Sequence, residues 1–266
     1  MTEKAAATSG QPKLEIPKRS MFLYEKPELM SHDEHSSLGF VTPQNPYEFA
    51  SKISTVPLLA TEISSAQKHY PVIFSDPVNA IPYAVVSVLK EENMFVNSSG
   101  QWEDLHYVPS YLRRHPFALA AGSDDQLAMV IDRASNAISE NSEHPFFENG
   151  VLSERTQQMV DYCGNYEAER RRTMEFTSKL KELDLLVMQE VKSEGKGEGK
   201  TEKSLASYFV VDVNKLNELA PDVLHGLHTQ GYLSFIFAHL FSLENWQRLI
   251  DRRQLMLSTA KAAAGT

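Results

Sequence analysis

The chain has 266 residues, of which 42% are hydrophobic and 23% are charged, and its formal net charge is −9 at pH 7. This length is enough for one large domain or two small ones, and it allows a substantial core without disulfides or metals. The acidic balance argues against nucleic-acid binding, which depends on Lys and Arg neutralising phosphates. It also gives no general attraction to anionic lipids.

The N-terminal residues contain no apolar segment typical of a secretory signal, so we predict a disordered tail over 1–20 and a cytoplasmic protein. Residues 21–56 are rich in Pro, Ser and His and predict an irregular arm. The main domain is expected over 57–257, followed by a frayed tail at 258–266. The longest apolar run, YLSFIFAHLFSL, is too short to cross a bilayer, so no membrane span is expected.

The first half of the predicted domain is rich in strands. A short helix is expected from Leu58 to Tyr70-Pro71, because the residue before proline avoids the helical conformation. Short apolar and β-branched runs then predict strands at 71–75, 83–89, 94–97, 117–121 and 126–132. Strands this close in sequence pair in antiparallel fashion, and the last two are expected to form a hairpin around GSDD.

The second half is mainly helical. Ser153 is a plausible N-cap for a long helix that ends near Leu183. Residues 191–204 are rich in Gly, Lys and Glu and predict a flexible loop. The following pattern predicts a strand at 208–213, a helix capped by Asp212, a helix from Pro221 to Gly231, a strand at 233–240 and a last helix capped by Ser242. The fold class is therefore α+β, a central antiparallel sheet or meander with C-terminal helices packed on it.

The segment after Gly100, GQWEDLHYVPSYLRRHPF, is the candidate binding region because it is dense in aromatic and cationic side chains. Arginine forks onto carboxylates and phosphates and stacks on aromatic rings, and such a composition is also typical of interface hot spots. Its candidate binding residues are Trp102, His106, Tyr107, Tyr111, Arg113, Arg114 and His115. In the alternative interpretation, Tyr111, Leu112 and Phe117 pack inward and the arginines pair with acidic residues of the chain.

His239, at the end of an apolar run, completes the candidate binding set. It is either a buried histidine bonded to a carbonyl or carboxylate, or a general base that titrates near neutral pH. A histidine-based enzyme would require His115, His239 and Asp132 to meet in one pocket. The chain contains no G-x-S-x-G, H-E-x-x-H or dinucleotide fingerprint, and no cofactor is expected.

Two H-x-x-H spacings are candidate metal sites, namely His32 with His35 and His225 with His228. The first pair lies in a segment that does not look helical, and the second lies on a predicted helix facing solvent. Spacing fixes no third ligand for either pair, so no metal is expected. Cys163, the single cysteine, falls on the apolar stripe of the long helix and is expected to be a buried structural thiol.

Several runs of the chain resemble the SapC family of bacterial proteins. They include HYPVIFSDP at 69–77, YAVVSVLKEENMFVNSSGQWEDLHYVPSYLRRHPFALA at 83–120 and AHLFSL at 238–243. The resemblance covers roughly 55–253, and the long Lys/Gly/Glu loop and the N-terminal tail depart from it.

The resemblance implies a bacterial protein of a family named for a link to paracrystalline surface layers. Family members often occur near genes for TonB-dependent receptors and flavin-dependent halogenases, and the family has no established catalytic residues to carry over. The expected function is a non-enzymatic binding or accessory protein linked to a surface layer or to ligand uptake. Its partner would be a surface or uptake-system protein or an anionic ligand. The alternative is a metal-independent enzyme that uses histidine acid–base chemistry.

Overall fold

The computed structural model describes residues 21–121, 127–193 and 203–264. The predicted tail at 1–20, the GSDD turn and the centre of the predicted loop, 194–202, lie outside the described residues. The final residues, 265–266, also lie outside them.

The described residues form thirteen short strands and eight α-helices, with 3₁₀ turns at Glu48–Ala50 and Ala60–Glu62. The strands are β1 (Pro27–Leu29), β2 (Leu38–Phe40), β3 (Thr55–Pro57), β4 (Val72–Phe74), β5 (Pro82–Val85), β6 (Phe117–Ala121), β7 (Leu127–Asp132), β8 (Ile138–Glu140), β9 (His144–Pro145), β10 (Phe147–Glu148), β11 (Val151–Leu152), β12 (Leu186–Ser193) and β13 (Lys203–Val211). The helices are α1 (His32–His35), α2 (Ile63–Ala66), α3 (Ser110–Arg113), α4 (Glu154–Glu182), α5 (Val213–Asn217), α6 (Pro221–Thr229), α7 (Tyr232–Ser242) and α8 (Asn245–Ala264).

The chain divides into two compact units, and the first contains the described residues up to Val41 together with Pro116–Val160. Its main sheet has the order β1-β7-β6, and both pairings are antiparallel. The predicted hairpin of β6 and β7 is therefore confirmed. Tyr24 packs with Ala118 and Val130 on this sheet, and its hydroxyl donates a hydrogen bond of 2.6 Å to the Phe117 carbonyl. A second sheet of order β8-β2-β9 and the β10-β11 hairpin complete the unit.

The second unit contains residues 42–115 and the described residues from Asp161 onward. Its five strands pair in the order β12-β13-β4-β5-β3, and every pairing is antiparallel. Tyr208 and Val210 of β13 pack against Trp246 and Ile250 of α8, which buries one face of the sheet under a C-terminal helix. The predicted α+β architecture is confirmed.

The predicted strand at 233–240 was wrong, because these residues belong to α7. Ile236 and His239, three residues apart, lie on the buried face of the helix. Phe237 and Phe241, four residues apart, lie on its exposed face. Apolar residues occupy both faces, so the run lacks the polar stripe of an amphipathic helix. A short apolar run of this kind does not distinguish a strand from a helix by periodicity.

Other elements also differ in extent from the predictions. The strand expected at 83–89 ends at Val85, and the strand expected at 94–97 is reduced to one bridge between Val96 and Trp102. β12 and β13 extend into both ends of the segment 191–204, which was predicted to be a loop. The helix expected over Leu58–Tyr70 is a 3₁₀ turn followed by the short α2.

The terminal segments hold more regular structure than the sequence indicates. Residues 21–56 contribute β1, β2 and β3 to three different sheets. His32–His35, expected to be non-helical, forms one turn of α-helix whose N-cap is Ser31. The C-terminal segment expected to fray continues α8 as far as Ala264.

The helix signals of the C-terminal half are largely confirmed. The Ser153 hydroxyl accepts the backbone N–H of Thr156 at 3.3 Å, as an N-cap of α4 should. Asp212 caps α5 in the same way, and Pro221 is the first residue of α6. Ser242 differs, because it ends α7 instead of starting α8. Within the described ranges, no helix is both long enough and apolar enough to span a membrane.

Candidate functional site

A buried carboxylate organises the candidate site in the second unit. Glu62 ends the Ala60–Glu62 turn and is only 6% exposed. Its Oε2 accepts the backbone N–H of Leu59 at 2.9 Å, as a glutamate does when it reaches back to the start of its own turn. Its Oε1 accepts the backbone N–H of Ser110 and the hydroxyl of Tyr107, both at 2.6 Å. Glu62 therefore fixes Tyr107 and the first turn of α3.

Arg113, at the end of α3, is held by this network through one nitrogen atom. Its Nη2 donates to the Ser110 hydroxyl at 2.7 Å and to the Tyr107 hydroxyl at 3.2 Å, and it lies 3.9 Å from Glu62 Oε1. The side chain is 43% exposed. Nε and Nη1 make no hydrogen bond to the part of the chain that the structure describes. Arg113 is thus oriented by the protein while it retains donors for an acceptor outside the chain.

Aromatic rings flank this guanidinium group. Its central carbon lies 5.6 Å from the ring centre of Tyr107 and 5.9 Å from that of Tyr162, distances at which a cation is attracted to a ring face. Burial and the Glu62 carboxylate raise the pKa of Tyr107. The Tyr107 hydroxyl therefore keeps its proton, which allows it to donate to Glu62 while it accepts from Arg113.

These residues line a cavity of about 250 Å³, which we call the Arg113 pocket. Tyr162, Asn165 and Glu169 of α4 form its opposite wall. Glu169 forms an ion pair of 2.6 Å with Arg172. This pair uses only Oε1, because Glu169 Oε2 is buried and accepts no hydrogen bond from the described residues.

Arg114 occupies a different environment from its neighbour. It is 8% exposed, and its guanidinium carbon lies 4.3 Å from the Tyr111 ring centre and 4.4 Å from the Tyr166 ring centre. Burial raises the pKa of both tyrosines, so both remain neutral. The contact with Tyr111 agrees with the alternative interpretation in that Tyr111 packs inward, but it places Arg114 against aromatic rings, a contact that interpretation did not include. Of the two predicted arginines, only Arg113 lines the pocket.

Trp102 and His106 lie in a separate aromatic cluster of the same unit. The buried Trp102 donates its indole N–H to the Tyr70 hydroxyl at 3.2 Å and stacks on Phe95 with 6.1 Å between ring centres. The Tyr70 hydroxyl donates to the Tyr107 carbonyl at 2.6 Å, and this bond supports the backbone of the pocket. The His106 ring lies 5.1 Å from that of Phe95. Neither Trp102 nor His106 lines the Arg113 pocket.

The remaining predicted histidines do not line the pocket either. The His115 ring stacks on Phe49 with 3.9 Å between ring centres. His239 is fully buried in α7, where it accepts the backbone N–H of Val211 at 3.1 Å and contacts the Val72 carbonyl at 2.8 Å. These partners require Nδ1 to carry the proton and Nε2 to accept. Burial lowers the pKa of His239 to about 4, so the ring is neutral at physiological pH.

Three further predicted residues have clear local environments. Asp132 belongs to the first unit, where its carboxylate accepts the backbone N–H groups of Glu25 at 3.0 Å and Lys26 at 2.8 Å. Cys163 is buried, which raises the pKa of its thiol to about 11 and confirms the predicted structural role. His35 is buried and lies 3.3 Å from the Glu28 carboxylate. Among the described residues, no group of three His, Cys, Asp or Glu side chains could hold a metal ion.

Several residues of the pocket were not predicted from the sequence, namely Glu62, Ser110, Tyr162, Asn165 and Glu169. The position of Glu62, three residues after Leu59, is the spacing of a glutamate that caps its own turn, and this signal was available. Tyr162, Tyr166 and Glu169 recur at three- and four-residue spacing on α4, which places them on one helical face. Nothing in the sequence indicates that this face meets α3.

Comparison with protein families matches residues 30–249 to the SapC family. Comparison with curated proteins and with solved structures gave no match. The matched region contains the Arg113 pocket, the aromatic cluster around Trp102 and the buried His239. Because the match covers most of the chain, the protein belongs to the SapC family.

Proposed function

We propose that this protein is a non-enzymatic binding protein, accessory to a surface-layer or ligand-uptake system, and that the Arg113 pocket is its binding site. One observation carries the proposal. The Arg113 guanidinium is held in place by Ser110 and Tyr107 through Nη2, while Nε and Nη1 make no hydrogen bond within the described residues. A preorganised fork of this kind suits a carboxylate or a phosphate.

The cavity favours a small ligand group. Its volume of about 250 Å³ is below the range of roughly 300–1,000 Å³ for pockets that enclose drug-sized ligands. Tyr107 and Tyr162 flank Arg113, so a planar anion can contact both an aromatic face and the cation. Because two carboxylates, Glu62 and Glu169, line the pocket together with Arg113, we expect the geometry of the donors, rather than long-range attraction, to provide the affinity.

The chemistry of the described groups supports binding over catalysis. The Glu62 oxygens already accept three hydrogen bonds, and burial raises the pKa values of Tyr107 and Cys163. The histidine-based alternative needs His239, but both ring nitrogens of His239 contact backbone groups and its pKa is lowered to about 4. The link to surface layers or uptake rests on the family resemblance.

The proposal is tested with benzoate, phenyl phosphate and the uncharged analogue benzamide in ligand-observed NMR. We expect millimolar binding of at least one anion and about tenfold weaker binding of benzamide. Arg113→Ala should abolish the binding of the anion. Arg171→Ala is the matched control, because it removes an exposed arginine of α4 that does not line the pocket, and it should leave binding unchanged. Equal binding by wild type and Arg113→Ala would show that this pocket is not the site.

A further inference from the structure

A second cavity, of about 390 Å³, lies in the second unit and shares no residue with the Arg113 pocket. We call it the Trp246 cleft. Ile73 of β4, Val85 of β5 and Tyr208 of β13 line it from the sheet, and Trp246 of α8 lines it from the helical layer. The Trp246 ring lies 5.1 Å from the Tyr208 ring. Volume and aromatic lining are those of a small-molecule site.

Polar groups are few in this lining and lie beside the apolar wall. They are the hydroxyls of Ser54, Thr55, Ser87 and Ser207, together with Lys90. A mostly apolar surface with a few polar groups selects an amphipathic ligand.

The charge of the lining identifies the polar end of that ligand. Among the described lining residues, Lys90 is the only ionisable one apart from Tyr208, and it is exposed. Its ammonium group forms no ion pair or hydrogen bond with the described residues. Within the described ranges, Lys90 is thus a cation without a partner beside an apolar cleft, in a chain of net charge −9. It complements one negative charge, since an ammonium group attracts a carboxylate most strongly next to a low-dielectric wall.

We propose that the Trp246 cleft binds an amphipathic carboxylic acid. The apolar body of the ligand lies against Ile73, Tyr208 and Trp246, and its carboxylate pairs with Lys90. The hydroxyls of Ser54, Thr55 and Ser207 provide additional hydrogen bonds to the carboxylate, whereas the Ser87 hydroxyl already donates to Glu92. This site is independent of the proposed function, because it uses different residues and a ligand with a larger apolar part.

The test is calorimetric titration of the full chain with octanoate, with octanol and octylammonium as ligands that have the same chain and a different head group. Octanoate should bind with a stoichiometry of one and at least tenfold more tightly than octanol, and octylammonium should not bind. Across hexanoate, heptanoate and octanoate, affinity should rise about threefold or more for each added CH₂ group.

Two variants separate the head-group contact from the cleft itself. Lys90→Gln should weaken octanoate binding about tenfold and leave octanol unaffected. Ser207→Phe fills the cleft from an exposed position on β13 and should abolish binding of both. Arg113→Ala, the control for the other pocket, should change neither affinity.

Each other outcome overturns the inference. Absence of octanoate binding, or binding that Ser207→Phe leaves unchanged, would show that the cleft is not a ligand site. Octanoate binding that is lost in Ser207→Phe but is unchanged in Lys90→Gln would disprove carboxylate recognition by Lys90.

Discussion

The Arg113 pocket and the surroundings of His239 both lie in the second unit, and each contains one residue of the predicted binding set. At His239, both ring nitrogens contact backbone atoms and the side chain is fully buried. At Arg113, one nitrogen is used by the protein and the side chain is 43% exposed. Both ring nitrogens of His239 therefore serve the fold. The fold holds Arg113 in place through Nη2 but leaves its other donors available to a ligand.

The His239 region shows why a polar residue belongs in an apolar helix. The pairing between β13 and β4 is short: among the described residues, only Phe209 of β13 and Phe74 of β4 lie opposite each other in the ladder. His239 bonds to Val72 of β4 and Val211 of β13, and the Ser242 hydroxyl accepts the Val72 N–H at 2.9 Å. The two side chains of α7 thus satisfy backbone groups that the ladder leaves unpaired. The AHLFSL pattern that resembles the family has a structural explanation.

The largest effect is expected from His239→Ala. The variant leaves a buried carbonyl and a buried N–H without partners and creates a cavity, so we expect a loss of about 3 to 5 kcal/mol in the free energy of unfolding. Urea denaturation measures this loss. His225→Ala, at an exposed position of α6, should change it by less than about 0.5 kcal/mol. A loss below about 1 kcal/mol for His239→Ala would show that His239 does not serve the fold, and its difference from Arg113 would disappear.

The second prediction concerns pH. Burial lowers the pKa of His239 to about 4 in the fold, from its ordinary value of 6.5. Between pH 6.5 and pH 4, His239 therefore binds a proton in the unfolded chain but not in the folded chain. Its contribution to the free energy of unfolding is fully present above pH 6.5 and is lost as the pH falls towards 4. The contribution is of the order of 3 kcal/mol. Unfolding curves of wild type and His239→Gln measured across this range should converge as the pH falls. Parallel curves would contradict the assignment.

The third prediction concerns Glu62, which belongs to the pocket but is buried as His239 is. In Glu62→Gln, an amide NH₂ group replaces one carboxylate oxygen. This group cannot accept the hydrogen bonds that Leu59, or Tyr107 and Ser110, donate to that oxygen. We expect a loss of about 2 kcal/mol in the free energy of unfolding, since hydrogen bonds to charged groups contribute about 1.5–3 kcal/mol. Thermal denaturation measures the loss, and Glu244→Gln, at an exposed position, is the control. A loss equal to that of the control would show that Glu62 does not organise the pocket.

The smallest effect on stability is expected from Arg113→Ala. The side chain is partly exposed and its bonds to Tyr107 and Ser110 are replaceable by water, so the loss should be about 1 kcal/mol or less. Arg171→Ala gives the reference value for an exposed arginine. Chemical denaturation of both variants makes the comparison. A loss of about 3 kcal/mol or more for Arg113→Ala would indicate that Arg113, like His239, serves the fold.

Local signals in the sequence predicted the fold class and many elements. Ser153 and Asp212 were identified as N-caps because a small polar side chain before an apolar helical pattern satisfies free N–H groups. The β6-β7 hairpin followed from two strand patterns close in sequence. The strand assigned to 233–240 failed because α7 is apolar on both faces, and no local signal then separates the two structures.

The candidate site could be predicted only in part. The segment after Gly100 was identified from its composition, and it contributes Tyr107, Ser110 and Arg113 to the pocket. Composition could not separate Arg113 from Arg114, since the difference depends on which side of α3 meets the rings of Tyr111 and Tyr166. Glu62 escaped notice because it is a single acidic residue whose role comes from contacts 45 and 48 positions away in sequence.

The most direct test observes the Arg113 guanidinium itself. In a protein with ¹⁵N-labelled arginine, the Arg113 Nε–H resonance is assigned by its loss in Arg113→Ala, and the sample is titrated with phenyl phosphate. A saturable shift of this resonance, with the Arg171 resonance unmoved, is the predicted result. Binding of phenyl phosphate that leaves the Arg113 resonance in place would contradict the assignment of the pocket as the binding site.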